Sequence, residues 1–544
     1  MRYLSENKRE DMRMKKRTAA RSMAALMGAA MVLTACGGGN TTAPTTGASS
    51  GGETQTASES AESGKITKTD IVVGQASDIV TLDPAGQQDT TSGVLMKHAY
   101  STLLDVDNEG EVVPDLAESY EMKSDTEYVF KLREDACFWD GTPVTAQDVK
   151  FSLDRAKGMP KTKSNTSKIE EVTVNGDHEV TIKLTEPYAA FKTIVTQHNL
   201  SILSEKAVTE AGDSYGDVDN LLGSGPFKVT EWVPNDHYTL VRNDNYWGEM
   251  PIATSITCRV IPEGSARTIA LEAGEIDVVW SVDPTDCANV ESNPDVKLLS
   301  QPSTGIDYVG MNTQKEKFSD KRVRQAINYA LDKQTFVDTI IEGRGLVANS
   351  YINAAIPGWT DEVEVYPYDP EKAKELLAEA GYPDGFECSI FVNGDLRTRS
   401  AQILQAQLAD VGIKVDISTY EWGALLDTLN AGEHEMFLLG WSNTSFDPDG
   451  STYQLFYSGN HGATGNRAFF SNDKVDELIL SAQRESEESK RMELYKELQF
   501  VLHDESPWCP LYYKENNVGV RADLKGFTLH AGAQHYLGNC HYEE

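Results

Sequence analysis

Four pieces of the first 64 residues, in a fixed order, remove that stretch from any globular fold. Lys15, Lys16, Arg17 and Arg21 form a basic cluster, and residues 23–33 are an apolar run. The run has the length of a signal-peptide core and is too short for a bilayer, which needs roughly 20 apolar residues. It ends in Leu33-Thr34-Ala35-Cys36, which reads as a bacterial lipobox, cut before a cysteine that carries the lipid. Residues 37–64 are almost wholly Gly, Ser, Thr, Ala, Asn, Gln, Pro and Glu. Such a segment cannot bury enough apolar surface to fold and serves as a spacer. The expectation is a signal peptide over 1–35, a lipid on Cys36 and a flexible linker over 36–65. An uncleaved anchor with a chance cysteine is the rival, and the order of the four pieces argues against it. No later stretch is apolar enough to span a membrane.

About 480 residues remain, too many for one hydrophobic core, so two or more lobes are expected. The chain carries net charge −35, and removal of residues 1–35, with eight basic and three acidic side chains, takes this to −40. A surface so acidic excludes a nucleic-acid partner and argues against lying on anionic lipid. Besides Cys36 there are Cys137, Cys258, Cys287, Cys388, Cys509 and Cys540, far apart and without zinc-ligand spacing. Disulfides and free buried thiols both remain open. The sequence holds no G-x-S-x-G elbow, no H-E-x-x-H and no Walker loop, which leaves a secreted hydrolase without a motif. No cofactor or metal is expected.

Strand and helix patterns alternate along the chain. Residues 71–73 read as a strand before Asp83-Pro84, and residues 172–184 as a hairpin turning at Asn175-Gly176. Thr145 with Asp148 makes a capping box ahead of Val149, Leu153 and Ala156. A helix is predicted from Ser319, with Val323, Ala326, Ile327, Ala330 and Leu331 on one face. Asp369-Pro370 opens another that Gly381 stops, and residues 400–411 form a third. Strands over 414–419 and 436–441 follow, then a mostly helical stretch over 473–504. Such alternation argues for an α/β lobe.

Several blocks resemble the extracytoplasmic solute-binding proteins of peptide and nickel ABC importers, in the large class with an extra domain. They are Pro114-Asp115-Leu116-Ala117-Glu118-Ser119-Tyr120 and Phe138-Trp139-Asp140-Gly141-Thr142-Pro143-Val144-Thr145; Gly223-Ser224-Gly225-Pro226-Phe227 with Arg242-Asn243-Asp244-Asn245-Tyr246-Trp247; Asn312-Thr313 with 320–332; and Ala373-Lys374-Glu375-Leu376-Leu377 with Ala380-Gly381-Tyr382-Pro383. The resemblance spans 66–540 in order. It implies a two-lobed α/β fold like that of periplasmic binding proteins, with an extra domain inserted in lobe I, that captures a ligand between the lobes and performs no chemistry. Lobe I is expected at 66–97, 206–300 and 505–544, the extra domain at 98–205 and lobe II at 301–504. The implied cargo is an oligopeptide, delivered by a monomer to a permease and its ATPase. A nickel chelate, a sugar or another small molecule, or a peptide-sensing role, are the alternatives.

An interlobe cleft needs aromatic walls and a few placed polar groups. In relatives the loop Trp441-Ser442-Asn443-Thr444-Ser445-Phe446-Asp447 lines it, so Trp441, Asn443, Thr444 and Asp447 are candidates. Trp280, after a strand predicted at 276–279, Gln87, Trp422 and Arg467 complete the set. Peptide binders that resemble this chain carry an Asp where Thr444 stands, paired with the peptide ammonium. Dipeptide binders place an Arg where Phe391 falls, with Arg397 and Arg399 nearby. Both departures weaken dipeptide specificity, because a buried ammonium or carboxylate left unpaired costs several kcal/mol.

Overall fold

The computed structural model of the chain describes residues 65–544; the expected signal peptide, Cys36 and nearly all of the expected linker lie outside the described residues. Among the described residues, no helix is long and apolar enough to cross a membrane.

One eleven-stranded sheet runs through this part of the chain. In spatial order its strands are Ile413–Thr419, Phe386–Val392, Met436–Ser442, Val296–Met311, Trp508–Arg521, Val278–Val279, Asp70–Gln75, Ser255–Val260, His237–Arg242 and Phe227–Val233, with Gly345–Val347 added beside Trp508–Arg521. Val296–Met311 and Trp508–Arg521 are antiparallel and pair from Val296↔Arg521 to Gly310↔Trp508. Their ladder breaks between Pro302 and Ile306. Pro302 has no N–H to give, and the Ser303 hydroxyl donates to the Lys514 carbonyl at 2.8 Å. On one side of the break the pair carries Val278–Val279, which in turn pairs with Asp70–Gln75; on the other it carries Met436–Ser442 and Gly345–Val347. The sheet is thus two α/β halves joined by two strands.

Each half has its own core. Ile71, Val73, Leu95, Phe227, Ile256 and Val518 are among the buried residues of the first. The second half is covered on both faces. Met436 and Leu438 enter one core with Ile327, Leu377 and Leu404, while Phe437 and Leu439 enter the other with Leu478, Leu498 and Trp508. A strand buried on both sides reads as an unbroken apolar run, which is why 436–439 stands out in the sequence. Trp508 to Tyr513 lie in these same cores, so the chain returns to the first half near Lys514, about ten residues beyond 505.

A separate four-stranded antiparallel sheet, Ala117–Ser124, Glu127–Leu132, Glu179–Leu184 and Ile169–Gly176 in spatial order, has a core drawn from Leu103 to Ile202. The helix Ala146–Lys157 begins with the predicted capping box between Thr145 and Asp148. The hairpin turns at Asp177-His178, two residues later than Asn175-Gly176, because Gly176 still pairs with Glu179.

Three helix boundaries differ from expectation. A one-turn helix, Glu316–Ser319, precedes Lys321–Ala330, whose cap is Asp320 rather than Ser319. The helix expected from Ser400 begins six residues earlier, at Gly394, behind an Asn393 whose side chain makes no cap bond. The 473–504 stretch is two helices, Asp473–Arg484 and Glu488–Glu505. The strand expected at 276–279 is confined to Val278–Val279. The six cysteines described are free thiols, all buried except the half-buried Cys137.

Candidate functional site

The two halves and the 103–202 segment enclose a cavity of about 380 Å³, at the small end of the range of about 300–1,000 Å³ for small-molecule sites. Gln87, Trp280, Trp422, Trp441, Thr444 and Arg467 line it together, although they are scattered over 380 residues of chain.

Trp441 lies in Met436–Ser442, and its indole Nε1 donates to the Gly450 carbonyl at 3.1 Å, which fixes the ring. Trp422 opens the helix Trp422–Asn430, and its ring sits 5.9 Å from the Arg397 guanidinium, within cation–π range. Trp280 follows Val278–Val279 and stacks on His535 with centroids 5.3 Å apart. The buried Nε1 of Trp280 has no hydrogen-bond partner, so this indole keeps a donor at the site, whereas Trp422 is directed at the Asp89 carboxylate. Gln87 accepts from the Asp89 N–H at 3.0 Å.

Thr444 stands on the second half and its hydroxyl donates to Gln197 Oε1 at 2.9 Å, bridging to the 103–202 segment. Gln454 does the same at a second point. It donates to Asn165 Oδ1 (2.5 Å), accepts from Gln88 (3.2 Å), and Asn165 donates onward to Asn199 (3.1 Å). These amides also line the cavity.

The charged lining is Asp89, Arg397, Arg467, Lys514 and Glu515, with His198 beside them. Burial pushes the Asp89 carboxyl above its usual range against the Ser92 amide, which lowers it. Burial takes His198 down to about 3, so the ring is neutral. Asp307 lies just behind the lining, its side chain only 2% exposed, with Lys514 Nζ 2.9 Å and Arg397 Nε 4.0 Å away. Arg397 also donates to Asn393 Oδ1 at 2.7 Å. Arg467 is 6% exposed. Its Nε donates to Asn430 Oδ1 at 3.0 Å, and among the described residues no carboxylate pairs with it. Burial lowers its pKa, opposed by Tyr308 and Asp89.

Two expected residues are not in the lining. Asn443 is 1% exposed; it donates to the Asp447 carbonyl and to Ser451 Oγ, both at 2.7 Å, and so closes the loop on itself. Asp447 pairs bidentately with Arg491 at 2.8 and 2.5 Å and is not in the cavity lining. Phe391 packs on Tyr420 and is not in the cavity lining. Sequence reasoning missed Asp89, Asp307, Lys514 and the amides; only the contacts just given reveal them. Among the described residues no group of three or more His, Cys, Asp or Glu side chains is placed to hold a metal ion.

The model of the bacterial extracellular solute-binding proteins, family 5, matches residues 111–463. The dipeptide-binding protein of Escherichia coli strain K12 is 30% identical over 470 residues, covering 80% of this chain and 86% of its own. The glutathione-binding protein of the same strain is 31% identical over 479 residues, covering 85% and 92%. A periplasmic binding protein associated with an ABC transporter in Helicobacter pylori, solved with the peptide STSA, superposes with a TM-score of 0.84 at 28% identity, covering 88% of this chain and 99% of that one. The chain therefore belongs to family 5 of the bacterial extracellular solute-binding proteins, which bind their ligands and do not transform them.

Proposed function

We propose that this protein captures a short peptide in the 380 Å³ cavity and delivers it to the permease of an ABC importer, tethered outside the membrane by a lipid on Cys36. The observation that carries this reading is that tryptophans from both halves, Trp280 from one and Trp422 and Trp441 from the other, converge with placed amides on one cavity. Two named relatives bind peptide-like ligands, a dipeptide and glutathione. A cavity of this size suits two or three residues better than a long chain. Lobe I is assigned to 66–97, 206–300 and the segment after Lys514, the extra domain to 98–205, and lobe II to 301–513, acting as a monomer. The break at Pro302–Ile306 beside Lys514 is the natural hinge, since closure concentrates backbone change in a few such residues.

Purified protein should gain thermal stability with dipeptides or tripeptides, as binding to the native state alone requires. A broad peptide library without effect, and no peptide released on denaturation by mass spectrometry, would remove the peptide assignment. Cys36→Ser should move the protein from the membrane fraction to the soluble one; unchanged fractionation would remove the lipid anchor.

A further inference from the structure

Within the reading that this cavity is the ligand site, we infer that the ligand is selected by a carboxylate seated on Arg467, and that a free ammonium is dispensable.

Arg467 is a cation without a partner in a place where that is costly. It is 6% exposed, held by a single Nε bond to the neutral Asn430, and it lines the cavity. Isolated charges are not buried without compensation, and an arginine presents a planar fork matched to a carboxylate. The lining acid Asp89 acts on it through space, but no lining carboxylate pairs with it. Lys514 and Arg397 share the one carboxylate of Asp307. Asp89 caps its own helix by accepting from the Ser92 N–H at 2.9 Å, and it acts on Arg467 through space without forming an ion pair. Burial also favours its protonated form. Glu515 is half-buried and is the remaining acid. By formal count the three cations of the site are matched by Asp89, Asp307 and Glu515, but none of these carboxylates pairs with Arg467, which keeps its guanidinium open to the cavity. Thr444, in the same lining, is neutral and its hydroxyl is committed to Gln197.

Three libraries of the same dipeptides and tripeptides, with free termini, N-acetylated or C-amidated, separate the possibilities when thermal stabilisation of the detergent-solubilised full chain is read. The free and acetylated libraries should stabilise alike, and the amidated library should bind about tenfold or more weakly. Arg467→Met should lose the free-acid response by a similar factor with its unliganded melting temperature kept or raised. An amidated library as effective as the free acids overturns the inference and leaves the peptide reading intact. A response to free but not acetylated peptides overturns the dispensable ammonium. If no peptide library acts, the peptide reading falls, and a panel of sugar acids, hydroxy acids and aromatic acids decides: stabilisation that Arg467→Met abolishes upholds the carboxylate site, and no stabilisation overturns it.

Discussion

Arg467 and Arg491 are both arginines buried in the second half, and they are provided for in opposite ways. Arg491, 9% exposed at its side chain, meets Asp447 through two nitrogens, donates to the Ala482 carbonyl and contacts Tyr495. Arg467 has one amide on its Nε and a cavity in front of it. A charge the fold satisfies is part of the fold; a charge the fold leaves open is available to a ligand. The pair also explains why Asp447 belongs with structure although it lies in the cleft loop.

The contrast breaks most visibly at the satisfied pair. Asp447→Ala strands the Arg491 charge and should cost about 3–5 kcal/mol of unfolding free energy in chemical denaturation. A loss below about 1 kcal/mol would mean that Arg491 finds water and that the two arginines differ little.

Next in size is Asp449, which accepts from Tyr188 (2.6 Å) and Gln483 (2.9 Å) beside that pair. Burial, with Asp447 adding to it, raises its pKa from 3.8 to about 6. Between those values the folded chain holds a proton that the unfolded chain has lost, so stability falls as pH rises from about 4 to 6 and levels off above. Asp449→Asn should flatten that slope and add up to about 2–3 kcal/mol at pH 7. A melting temperature whose pH dependence is the same in variant and wild type would show that the carboxyl titrates normally.

At the open arginine the expected signs reverse. Arg467→Met should leave unfolding free energy unchanged or raised, while ligand affinity drops by about 10- to 100-fold, the value of hydrogen bonds from a charged group. Smallest is the bridge at Thr444. Thr444→Ala removes one neutral hydrogen bond to Gln197 and should change stability by about 1 kcal/mol or less. A large affinity loss there would place a ligand atom on the Thr444 hydroxyl.

The sequence carried the parts of this picture that are local. The Thr145 capping box, the Asp369-Pro370 helix start and the apolar run at 436–439 each state their structure within a few residues. The tryptophans of the cavity were legible because their flanking strands were. Arg397 stands out in the sequence only as a neighbour, since Asn393 makes no side-chain cap bond and Gly394 gives little helix signal, so the pattern places the start of the helix that carries Arg397 at Ser400. Asp447 was misplaced because its partner lies 44 residues away. The Gln88–Gln454–Asn165–Asn199 chain joins amides up to 366 residues apart, and no one-dimensional spacing encodes that. The free state of the cysteines is equally a property of three-dimensional distance.

The most direct measurement is a crystal structure of the protein with the ligand it retains on purification. A carboxylate oxygen of that ligand should lie within hydrogen-bond distance of the Arg467 guanidinium, with the ligand packed between the indoles of Trp280, Trp422 and Trp441. A ligand whose charge rests on Lys514 or Glu515 while Arg467 faces only water would contradict the account.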